Sequence, residues 1–108
     1  MYNLTLAKRI HDLIGDQPGL QEKKMFGGVG YILSGNMACG ILNDDLIVRL
    51  GSEAMPEALA KAHVRPFDSY GKRMSGWVLV GPGGYAQEAD LKDWIWRGVE
   101  FARSLPAK

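Results

Sequence analysis

Cysteine occurs once, at Cys39, so no intrachain disulfide can form and burial alone must hold the chain together. An excess of one charge is missing too: 13 Lys+Arg stand against 12 Asp+Glu, a formal net charge of +1. A dedicated nucleic-acid-binding domain carries a basic excess or stripe, which this balance does not supply. No His-x-x-x-His or Cys-x-x-Cys pair occurs, which excludes structural zinc, and no cofactor is expected. The start, MYNLTLAKRIHDL, carries Lys8, Arg9 and Asp12 and lacks an apolar signal-peptide core, so a cytoplasmic location is expected. No G-x-x-x-x-G-K-[ST] string is present; Gly81-Pro-Gly-Gly84 reads as a turn, not as a phosphate loop.

Residues 25–43 form the longest uncharged run, but five glycines interrupt it, each costing a helix about 1 kcal/mol relative to alanine. A membrane helix is therefore rejected. Gly35-Asn36 stands between the apolar runs VGYILS and MACGIL, the pattern of a β-hairpin with a two-residue turn. A second turn at Asp44-Asp45 leads into LIVRL, completing a three-strand meander. With those turns, Ile32, Cys39, Ile41, Val48 and Leu50 share the core face. Tyr31, Gly40 and Arg49 then form a row on the opposite face, Arg49 lying towards the Tyr31 ring.

Leu6, Ile10, Leu13 and Ile14 mark an amphipathic first helix, capped by Asn3 or Thr5 and stopped at Gly15. PEALAKAH reads as a short second helix, with Pro56 at its first position. The last helix starts with Asp90 as cap and carries its apolar stripe on Leu91, Trp94, Ile95, Gly98, Val99, Ala102 and Leu105. Gly98 within that stripe predicts a close approach to the sheet, and Trp96 falls off it. WVLV is a further strand, RPFDSYGKRMSG a loop-like mixture, and extra short strands fit before Phe26 and near Phe67. The expected fold is α+β, a single two-layer domain over 1–108 in the order α-β-β-β-α-β-α, with helices on one face of an antiparallel sheet.

Chemical candidates are few. Cys39 lies in a strand on the core face, where a thiol is a small inert hydrophobe, and neither His11 nor His63 is placed beside it by the sequence. Asp44-Asp45 is turn chemistry, and Ser69 and Ser75 lack a nucleophile elbow. No catalytic residue is expected. Lys24, Tyr31, Arg49, Gly71 and Lys72 are the candidate binding residues. Val29, Leu33, Leu42, Ile47 and Trp96 are the candidate interface, because an uncovered apolar sheet face marks a contact surface.

KMFGGVGY, followed by GNMACGI, LIVRL, RPFDSYGKRM and WVLV, is similar to the N-terminal domain of the TfoX/Sxy family of bacterial competence regulators. Lys24, Met25, Phe26, Gly27, Gly28, Gly30, Arg49, Pro66, Phe67, Gly71, Lys72 and Met74 carry the resemblance, which extends over nearly the whole chain. The resemblance implies an α+β fold like that of type III secretion chaperones and a regulatory, non-enzymatic role. The leading expectation is a module acting by protein–protein contact, as a homodimer. The second is an anion- or nucleic-acid-binding module using Lys24, Arg49 and Lys72 against phosphates. No membrane partner is expected.

Overall fold

The computed structural model describes residues 2–25, 27–69 and 72–108, with the backbone alone at 69, 72 and 73. Helix α1 spans Leu4–Ile14 and is capped as expected: the Asn3 side chain accepts a hydrogen bond from the Leu6 N–H at 2.9 Å. Four strands follow in a meander, β1 (Leu20–Met25), β2 (Gly28–Leu33), β3 (Asn36–Leu42) and β4 (Asp45–Arg49). A 3-10 turn at Ser52–Ala54 leads into the short α2 (Met55–Leu59). The hairpin β5 (Val64–Ser69) and β6 (Lys72–Val80) comes next, then α3 (Pro82–Tyr85) and the long α4 (Glu88–Ser104). The sheet is antiparallel with strand order β1-β2-β3-β4-β6-β5. The two strands expected near Phe26 and Phe67 are β1 and β5.

Both edge strands are unattractive templates for a further strand. Gln21, Glu22, Lys23 and Lys24 on β1 are exposed, and Pro66 removes a donor from β5. The segment expected as a loop thus supplies a whole strand, and α2 ends well before His63, which takes φ +67°. Helix α4 begins at Glu88 rather than after an Asp90 cap; Glu88 and Asp90 instead lie in its first turn, where acids suit the positive helix end.

Both hairpin turns fall one residue earlier than expected. Leu33 pairs with Asn36, so Ser34 and Gly35 form the first turn, both at positive φ as a type I′ turn requires. Leu42 pairs with Asp45, so Asn43 and Asp44 form the second. A bulge then matters more than either turn. Ile32 pairs with Met37 but Tyr31 pairs with Cys39, leaving Ala38 as an extra residue in β3.

Beyond that bulge the parity of β2 is reversed. Tyr31 is 0% exposed, and Val29 and Leu33 are buried with it, on the same face as Cys39, Ile41, Leu46 and Val48. Ile32 turns outward. The core thus lies between this face and the helices: Leu6, Ile10 and Ile14 of α1 and Leu91, Ile95, Val99 and Ala102 of α4 join one buried cluster with it. Gly98 permits the contact, since a Cβ there would lie 2.5 Å from the Ala38 carbonyl oxygen at the bulge. The chain's C-terminal residues strap the first hairpin: Lys108 N–H donates to Ser34 O, and the buried Asn36 amide donates to Pro106 O at 2.9 Å. No helix among the described residues is long and apolar enough to cross a membrane.

Candidate functional site

The outer face of the sheet is organised on a row that crosses all six strands: Lys23, Gly30, Gly40, Ile47, Leu79 and Arg65. Two adjoining glycines leave a floor without side chains in the middle of that row. A Cβ on Gly40 would lie 2.7 Å from Met37 Cε, and one on Gly30 would lie 3.0 Å from Met25 Cε. Two methionine side chains therefore lie across the glycine floor and account for the burial of both glycines. Half-buried Ile32, Leu42 and Leu79, with the more deeply set Ile47, extend the apolar surface around them. Unbranched thioethers adapt to an opposing surface, which makes such a patch permissive.

The KMFGG string has a structural reason in this arrangement. Met25 covers Gly30, Gly27 takes φ +79°, and Gly28 approaches β3 so closely that a Cβ would lie 2.2 Å from the Ile41 carbonyl oxygen. Phe26 lies outside the described residues.

Arg49 ends β4 and pairs with Trp77 on β6. Its guanidinium carbon lies 5.0 Å from the Trp77 ring centroid and 5.6 Å from that of Phe101 on α4. Phe67 meets Trp77 edge-on, with centroids 6.5 Å apart and planes at 64°. The cation–π contact expected for Arg49 therefore exists, but with Trp77 and Phe101 in place of Tyr31, which the bulge has turned into the core. Each such contact stabilises by about 0.5–1 kcal/mol at an exposed site.

The expected binding residues do not converge. Lys24 is exposed in the row of Val29, Ile41 and Leu46, on the face opposite to Arg49 and three strands away, about 14 Å at the usual strand spacing. Gly71 and the Lys72 side chain lie outside the described residues. Of the expected interface set, Leu42 and Ile47 stand on the outer face. Val29 and Leu33 do not, and Trp96 is partly buried against the core. Met25, Ile32, Met37 and Leu79 take the vacated places; the Gly30–Gly40 pair was the sequence signal for them, because bare positions must be covered by neighbours.

Two buried groups bear on chemistry. Burial pushes the Cys39 thiol up to about 12, the opposite of an activated thiolate. The Tyr31 phenol is pushed up by burial and secondarily by Glu22, and its hydroxyl has no hydrogen-bond partner among the described residues. Tyr85, also pushed up by burial, donates its hydroxyl proton to Asp44 O at 2.6 Å and so ties α3 to the second hairpin turn.

The TfoX N-terminal domain family matches residues 12–102, and the chain belongs to that family. No curated protein and no solved structure matches it.

Proposed function

We propose that this TfoX N-terminal domain is a non-enzymatic regulatory module that works by protein–protein contact through the outer face of its sheet, with a second copy of the chain as the first partner. The observation that carries the reading is the patch of Met25, Ile32, Met37, Ile47 and Leu79 over the glycine floor, on the face opposite the one that shares a core with α1 and α4. An apolar surface of this kind marks a contact site. The guarded edges favour face-to-face association over strand addition. Six strands about 4.8 Å apart and five residues long give a face of roughly 24 by 17 Å, about 400 Å² in projection. That is small beside the roughly 800 Å² per partner of a stable interface, so an exchanging dimer in the micromolar range is expected.

Sedimentation velocity across a micromolar concentration series tests this. The native chain shifts from monomer to dimer, and Met37→Lys, which puts a charge at the centre of the patch, holds it as a monomer with an unchanged circular-dichroism spectrum. A native chain that stays monomeric throughout the series refutes the dimer.

A further inference from the structure

We propose that Arg49 is a receptor for a carboxylate, and that the ligand bearing it carries a short apolar stem seated in the cavity beside Phe101. Four other arginines have described side chains, and each bonds an oxygen: Arg9 that of Glu88, Arg65 that of Asp45, Arg97 that of Glu57 and Arg103 that of Gln17. Arg49 is half-buried and hydrogen-bonds no oxygen among the described residues; the Trp77 and Phe101 rings hold it. A guanidinium presents five donors in a rigid fork that matches a carboxylate in two parallel bonds. Contacts with two rings restrict that fork in advance, so less side-chain freedom remains to be lost on binding.

Phe101 also lines an open surface cavity of about 360 Å³, and Leu50, the residue after Arg49, lines it as well, so that Phe101 stands between the guanidinium and the cavity. Ala54 completes an apolar wall, and Arg97, Glu100 and Ser104 supply the polar one. That volume is at the lower end of small-ligand sites, enough for a stem of several carbons. The charges select a monoanion. Arg97 is already paired with Glu57 at 2.7 Å, and the exposed Glu100 at the rim has no ion-pair partner among the described residues, so a second negative charge on the ligand finds no cation there and is disfavoured most at low salt. Phosphate is therefore a poor ligand, and a carboxylate on an apolar stem a good one. Arg49 and Trp77 adjoin the Ile47–Leu79 row of the outer face, and carboxylate binding by a chain held monomeric by Met37→Lys separates this proposal from the dimer.

The test is a titration of the ¹⁵N-labelled chain, followed by NMR at the Arg49 Nε–H and the Trp77 indole N–H. Sodium hexanoate is the probe, with hexanamide and inorganic phosphate as controls. Saturable shifts with hexanoate, and responses at least about tenfold weaker with hexanamide and phosphate, are expected from loss of the charge-assisted pair. Arg49→Gln abolishes the response. Because that variant also removes the ring contacts, Ala54→Leu serves as a second one: it fills the cavity, keeps Arg49 and weakens hexanoate by on the order of tenfold. An apolar tripeptide with a free C-terminal carboxylate, compared with its C-terminal amide, separates a peptide source from a free acid; preference for the free-carboxylate peptide over hexanoate assigns the peptide, and the reverse assigns the small acid. No saturable shift with hexanoate, an equal response to hexanamide or phosphate, or an undiminished response in Arg49→Gln overturns the proposal.

Discussion

Substituting Gly98 by alanine sets two effects of known sign against each other. In an isolated helix the change stabilises by about 1 kcal/mol, because glycine is the poorer helix former. In this fold the new Cβ would lie 2.5 Å from the Ala38 carbonyl oxygen, 3.3 Å from its carbon and 3.4 Å from Val48 Cγ1. The obstacle is backbone, held in place by the β2–β3 ladder around the bulge, so it has no rotamer through which to yield. Helix α4 must retreat by roughly 0.8 Å, and gaps of that size forfeit a quarter to a half of each dispersion contact. Ile95, Val99 and Ala102 share the interface that opens. Overpacking costs of about 1–3 kcal/mol are usual, and a backbone obstacle belongs at the upper end. The packing loss wins: Gly98→Ala lowers stability by about 1–2 kcal/mol and Tm by roughly 4–10 °C. Urea unfolding and thermal melts followed by circular dichroism measure it, with the exposed Glu100→Ala as a control that moves stability by only about half a kcal/mol. Adding Ala38→Gly to Gly98→Ala leaves the defect in place, because the clash is with the carbonyl and not the methyl. A Gly98→Ala protein as stable as the native one, or a rescue by Ala38→Gly, refutes the close-approach argument.

Other substitutions follow from the two buried groups. Tyr31→Phe deletes a hydroxyl that has no partner among the described residues, and an unsatisfied buried donor costs about 1–3 kcal/mol, so the variant is more stable than the native chain in urea. A clear loss of stability contradicts the placement of that hydroxyl. Alkaline pH acts through the same region. Cys39 is raised from an ordinary 9.0 to about 12, so the unfolded chain releases its proton first and binds fewer protons than the native one across that interval. Stability is full below pH 9 and falls as pH rises towards 12, by up to about 1.4 kcal/mol per unit for each such group, with Tyr31 and Tyr85 adding to the fall from their ordinary 10.0 upward. Cys39→Ala flattens the first part of that decline in urea titrations at successive pH values; an unchanged slope counts against the buried thiol.

The sequence's legibility ended at a particular residue. A two-residue turn placed one position late changes the sum of paired residue numbers by two, which leaves every side chain on its proper face. That is why Cys39, Ile41, Val48 and Leu50 are correctly inward although both turns were displaced. A bulge changes the sum by one and reverses all that lies beyond it. Ala38 therefore moved Val29, Tyr31 and Leu33 from the expected outer surface into the core, and Ile32 the other way. Nothing in NMACGIL announces it locally, since alanine and cysteine suit either face. The reason lies in α4: the Ala38 carbonyl meets the bare flank of Gly98, sixty residues on, and only the packed pair explains both. The surroundings of Arg49 were hidden for a related reason. Its strand was legible, but Trp77 stands opposite only because β4 pairs with β6, whose register follows from a crossover and not from any turn. Phe101 reaches the same guanidinium from a helix on another layer. Local periodicity predicts which residues are apolar and where chains bend; which distant ring covers a charge is decided by how those bends add up in three dimensions. The one long-range feature that could be read was Gly98, because a gap in an apolar stripe states that something else must come close.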